Sequence, residues 1–226
     1  MFDSGTPRDK IIAAALRLAE ARGWRELSLG DIAAEAQVPL AELAREFKCK
    51  AQILAAFTAA VDEAVLAKFA APTADPPRDR LFDVVLSRFE ALQPYKAALR
   101  RIACDLGRSP GEALAQAFPS LKSQYWMLNA AGINGEGLRG LLRVKGLLAI
   151  YARVFPIWLR DDDPGLAKTM AALDKRLRRG EAVVLGMARF REGCEAFARA
   201  VCGPREKGEA AAEAQMPAPP AAPQQA

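Results

Sequence analysis

The chain has 226 residues and not one histidine. That absence removes the serine–histidine–aspartate triad, the imidazole general base and the imidazole metal ligand, and with them most hydrolase and zinc-enzyme chemistry. Cysteine is limited to Cys49, Cys104, Cys194 and Cys202, with no C-x-x-C spacing among them. Such isolated thiols read as small buried apolar residues in a reducing cytoplasm. Aromatic residues make up only 7% of the chain, and the alternating β-branched pattern of strands is scarce. Long apolar runs are missing too: Arg143, Lys145 and Arg153 interrupt the most hydrophobic region, so nothing reaches the roughly 18 apolar residues of a membrane span. The opening MFDSGTPRDK is polar and lacks the apolar segment of a secretory signal. A soluble, cytoplasmic protein is expected. There is no phosphate loop and no paired-carboxylate constellation, so no enzyme, catalytic residue, metal or cofactor is expected. The run Asp161-Asp162-Asp163 next to Pro164 reads as a helix N-terminal cap.

What the chain does have is alanine and helical periodicity, with 51% hydrophobic residues. An all-α fold is predicted. Thr6-Pro7-Arg8-Asp9 opens a first helix with a capping hydroxyl, a proline and an early acid. Ile12, Leu16 and Ala19 give it an apolar face, and Gly23 ends it. Ser28 to Asp31 has capping-box spacing, and Leu29, Ile32, Ala33 and Ala36 form the inner face of the helix it starts. Val38 plugs a turn, Pro39 restarts the chain, and Leu40, Leu43, Ala44 and Phe47 recur at i, i+3, i+4 and i+7. Residues 28–47, SLGDIAAEAQVPLAELAREF, thus read as two short helices across a tight turn, the layout that reads DNA. A longer helix from Lys50 to Phe69 turns Ile53, Leu54, Phe57, Val61 and Val65 inward.

The breaker cluster Ala71 to Pro77 marks a boundary. Three parts are expected: a helix-turn-helix domain with its linking helix over 5–67, a larger helical domain over 76–203, and an Ala/Pro-rich disordered tail over 204–226. Within the larger domain, helices are predicted at 76–93, 94–107, 110–131 with a kink at Pro119, 137–160, and 164–202.

The segments IIAAALRLAEARGW, LSLGDIAAEAQVPLAEL and EFKCKAQILAAF, with Phe47, Lys50 and Leu54 in a Phe-x-x-Lys-x-x-x-Leu exit, resemble the tetracycline-repressor (TetR) family of transcription regulators. The resemblance implies a homodimer that binds operator DNA and responds to a ligand, with Ser28 capping beside the DNA backbone and Lys50 near a phosphate. Candidate DNA-contacting residues are Ser28, Pro39, Leu40, Ala41, Glu42, Arg45, Lys48 and Lys50. Where that family usually has glycine, serine, tyrosine and histidine, this chain has Gln37, Pro39, Ala44 and Glu46. Residues 1–50 carry eight Lys/Arg against eight Asp/Glu, so the excess of +5 lies elsewhere, much of it in KRLRRGE at 175–181 and at Arg189, Arg191 and Arg199.

A second resemblance covers the other half. RFEALQPYKAALR, WMLNAAGI and LLAIYARVFPIWLRDDDPGLAKTMAALDKRLRRGE look like the TetR-fold accessory proteins of ubiquinone biosynthesis, which bind lipid and not DNA. Both families imply an apolar cavity in the larger domain and pairing through the last long helices. The candidate pocket is Phe89, Tyr95, Trp126, Met127, Tyr151, Phe155 and Trp158, for a small apolar ligand or lipid whose anionic head could meet Lys145 and Arg153. The candidate dimer stripe is Leu166, Met170, Leu173 and Leu177. In residues 187–202, Phe190, Cys194, Phe197 and Val201 form an apolar stripe with basic flanks, the character of a helix that touches a membrane surface.

Overall fold

The computed structural model of the chain describes residue 2, residues 5–70 and residues 74–202, with backbone alone at residue 185 and from residue 187 onward. Nine α-helices and one 3-10 turn occupy the described residues, without a strand among them. The described residues up to 181 form one compact unit and those from 182 to 202 belong to a second; the packing below concerns the first.

Helix α1 (Pro7–Arg22) starts where the Thr6 hydroxyl accepts from the Asp9 backbone N–H at 3.2 Å. It ends at Gly23, whose φ of 91° lies in the region open to glycine. Ile11, Ile12, Ala15, Leu16, Leu18 and Ala19 are buried, each large side chain contributing about 1.5–3 kcal/mol of transfer free energy. Helix α1 is therefore the hub, packing on α2 (Leu29–Ala36), α3 (Leu40–Glu46), α4 (Lys50–Lys68) and α6 (Lys96–Gly107). The predicted inner face of α4, Ile53, Leu54, Phe57, Val61 and Val65, is buried as expected.

On the far side, α4 packs against α5 (Pro77–Leu92) and α7 (Pro110–Ala130), and α7 against α8 (Gly137–Leu159). The turn Gln93–Tyr95 joins α5 to α6. Pro119 lies inside α7 without ending it, and the Ser120 hydroxyl donates to the Gln116 carbonyl at 2.7 Å. Helix α9 runs Ala167–Cys202. No helix among the described residues is long and apolar enough to cross a membrane.

The sequence reading needs four corrections. Helix α9 begins at Ala167 and not at residue 164, because Asp163 folds back, its carboxylate accepting from the backbone of Gly165 and Ala167. Asp161 caps the helix from further upstream, its Oδ2 accepting from Thr169 N and Oγ1 at 2.8 and 2.7 Å. Leu40 and Ala44, expected on the inner face of α3, are exposed, since the seven-residue helix presents only Leu43 to the core, with Phe47 following at its C-cap. Cys49 and Cys104 are exposed and free rather than buried. Finally, Leu166, Leu173 and Leu177 are buried in the chain's own core, so three members of the expected dimer stripe serve internal packing and only Met170 is open, at 37%. The expected tail at 204–226 lies outside the described residues, as do the side chains of the 187–202 stripe.

Candidate functional site

The two short helices are set by local chemistry. Ser28 and Asp31 form a complete capping box: Ser28 Oγ accepts from Asp31 N at 3.1 Å and Asp31 Oδ2 accepts from Ser28 N at 2.9 Å. The Ser28 side-chain bond, then its backbone bond, hold the Asp31 carboxyl below the usual range. The turn requires left-handed backbone at Gln37, with φ 55° and ψ 42°, a conformation costing a non-glycine residue about 1 kcal/mol. Pro39 then leads into α3.

Buried Leu43 and Phe47 anchor α3. Pro39, Leu40, Ala41, Ala44, Arg45 and Lys48 face outward, and Glu42 is half-buried. Arg45 makes no hydrogen bond or ion pair among the described residues, whereas Lys48 Nζ donates to the Ala44 carbonyl. Glu46 does not stand alone: its Oε2 accepts from Arg8 Nη1 at 3.2 Å, and the Arg8 guanidinium lies 5.1 Å from the Phe47 ring centre. Arg17 likewise pairs with Glu35 at 3.1 Å.

Lys50, expected near a phosphate, has its ammonium engaged within the chain. Its Nζ donates to the carbonyls of Trp24 and Arg25 at 2.9 and 3.3 Å and lies 5.6 Å from the Trp24 ring centre. The N–H groups of the same two residues donate to Asp105 Oδ2 on α6, at 2.7 and 3.1 Å. The loop after α1 is thus gripped by α4 through its carbonyls and by α6 through its amides. Asp105 was not singled out from sequence; its only signal is an acid near the end of α6, where the helix dipole disfavours negative charge.

Across α5, α7 and α8 the structure gathers part of the expected pocket set. Phe89, Tyr151, Phe155 and Trp158 stack together, with ring centres 5.0–5.8 Å apart. Met127 is buried, Trp126 is 41% exposed beside Tyr125, and Tyr95 sits apart against Phe2 and Phe57. Tyr95 lines a surface cleft of about 280 Å³ shared by Phe2, Leu16, Arg17, Glu20 and Ala98. Lys145 and Arg153 are exposed on α8.

Beside the stack lies a cluster that sequence reasoning missed. Arg88 and Asp62, 5% and 7% exposed, pair at 2.9 Å, and the Ser123 hydroxyl donates to the same Asp62 oxygen at 2.7 Å. The Arg88 guanidinium lies 4.9 Å from the Tyr151 ring centre. Burial opposes the Arg88 charge, but Tyr151 and Asp62 outweigh it and hold the group more firmly protonated than usual; burial pushes the Tyr151 hydroxyl up. Gln124 Oε1 is buried without a partner. The available signal was opposite charges set on the apolar stripes of two helices, Asp62 beside Val61 and Val65, Arg88 beside Val84 and Leu92.

Residues 11–57 match the model of the bacterial regulatory proteins, tetR family. No curated protein matches the chain. Among solved structures, the TetR transcriptional regulator from Nitrosomonas europaea is 21% identical, with 77% of this chain and 97% of that one covered at a TM-score of 0.61. A TetR transcriptional regulator from Rhodococcus sp. RHA1 is 18% identical, covering 77% and 95% at 0.59. A tetR-family transcriptional regulator from Streptomyces coelicolor is 19% identical, covering 89% and 93% at 0.54. Residues 11–57 are therefore similar to the tetR family of bacterial regulatory proteins, within an all-helical fold like that of solved TetR transcriptional regulators.

Proposed function

We propose that the protein is a transcription regulator that binds operator DNA as a homodimer and is controlled by an apolar ligand. The observation that carries this reading is the complete capping box ahead of an outward-facing α3, inside the segment that matches the tetR-family model. In this reading α3 enters the major groove. Pro39, Leu40, Ala41 and Glu42 face base edges, Arg45 and Lys48 supply charge to phosphates, and Ser28 presents the start of α2 to the backbone. Lys50, with its ammonium engaged by two carbonyls, holds the loop that carries α2.

Pairing is supported by Leu138, Leu141 and Leu142, exposed at i, i+3 and i+4 on α8, apolar surface of the kind that marks an interface. Ligand control is supported by the aromatic stack and the Asp62–Arg88–Ser123 cluster, a few buried polar groups set beside packed aromatic rings. In this reading residues 5–67 contact DNA, and the helical region that begins at residue 76 pairs and binds ligand.

The test is a footprint of the purified chain on DNA from around its own gene, at low and moderate salt. Protection over two half-sites one helical turn apart, weakening steeply as salt rises, is expected. Absence of protection together with a co-purified isoprenoid or acyl lipid would overturn the reading in favour of a lipid-binding accessory role.

A further inference from the structure

The surface of α3 restricts how it can read sequence. With Leu43 and Phe47 fixed inward, the 100° step of a helix puts Ala41 and Arg45 farthest from the core. Leu40, 55% exposed, and Ala44 lie on one flank; Glu42 and Glu46 lie on the other. Glu46 is occupied by Arg8, and Glu42 is half-buried. The helix, LAELARE, contains no amide and no hydroxyl side chain, so the bidentate Asn or Gln contact to adenine and the Ser or Thr contacts have no donor here. Three outward positions, Leu40, Ala41 and Ala44, offer only apolar surface. On a major-groove floor the one apolar partner for such groups is the thymine C5-methyl.

We propose that α3 selects its half-site mainly through thymine methyl groups packed on Leu40, Ala41 and Ala44. This rests on the DNA-binding reading above and adds the class of base that is read. Arg45, beside Ala41 on the outermost line of the helix, adds charge. Exposure of Leu40 and Ala44 thereby has a use: side chains that the core does not need are positioned for methyl groups that water solvates poorly.

The test uses the full chain and a random duplex library, from which bound sequences are enriched. Thymines in the enriched half-site are then replaced one at a time by deoxyuridine, which deletes the methyl and keeps every hydrogen-bonding group. Each methyl in contact is expected to be worth about threefold to fourfold in affinity, from the transfer free energy of one buried carbon. Leu40→Ala should shrink that factor at one position and leave the others unchanged. An enriched site whose affinity is insensitive to deoxyuridine at every thymine overturns methyl reading while sparing the regulator assignment. Failure to enrich any sequence overturns the assignment itself and this inference with it.

Discussion

The two halves of the larger compact unit solve opposite problems with charge. Around α1 to α3 the described core is purely apolar, and two acids on or beside α3 are matched on the surface, Glu46 by Arg8 and Glu35 by Arg17. Between α4, α5 and α7 the pairing happens inside, with Asp62 and Arg88 both almost wholly out of water. Exposed pairs contribute little, typically under about 1 kcal/mol, so the first arrangement mainly tunes the field that DNA would meet. Burying a pair costs several kcal/mol per ion before attraction is counted. The contrast teaches that the first region keeps its charges in water, where they can be changed at little cost, whereas the second commits a mutually paired set to the interior.

Removing one member of the inner pair should have the largest effect. Arg88→Met strands the Asp62 carboxylate and should lower unfolding free energy by about 3–5 kcal/mol in urea titrations, whereas Arg88→Met with Asp62→Leu should recover most or all of that loss. If the double variant is as unstable as the single one, the pair is a structural requirement and the contrast between the halves fails. Next in size, Asp105→Ala leaves the Trp24 and Arg25 amides without their acceptor, and about 1–3 kcal/mol of local protection should vanish there in hydrogen exchange. Protection of residues in α5 should stay unchanged. The smallest effect is in the outer half: Gln37→Gly relieves the left-handed turn and should raise the melting midpoint by the equivalent of about 0.5–1 kcal/mol.

Much of the fold was legible because helix ends carry their own instructions. Thr6-Pro7, Ser28 with Asp31, and Gly23 act through neighbouring backbone groups, so the sequence alone exposes them. The start of α9 was misread because Asp163-Pro164 looks like the same device, although Asp161, eight residues before its partner Thr169, forms the cap that lies inside the core. Periodicity also cannot tell which neighbour covers an apolar stripe. Leu166, Leu173 and Leu177 had the right spacing for another chain and are covered by their own. For the candidate site, the outward set on α3 was readable, yet the engagement of Lys50 was not, since its carbonyl partners lie 26 and 25 residues away. Asp105 and Arg88 were not assigned for the same reason: an acid at a helix end or a charge on an apolar stripe shows locally, but partners 80 and 26 residues away do not.

The loop at Trp24 and Arg25 has amides held by one helix and carbonyls held by another. Hydrogen bonds of this kind tolerate only a few tenths of an ångström before they weaken. The loop therefore works as a gauge of the spacing between α4 and α6. Should that spacing widen, one set of bonds must lengthen first, and the start of α2 would follow whichever grip survives. Lysine on one side and aspartate on the other make that outcome sensitive to charge, so the gauge could be reset by a single neutral substitution without touching the reading helix.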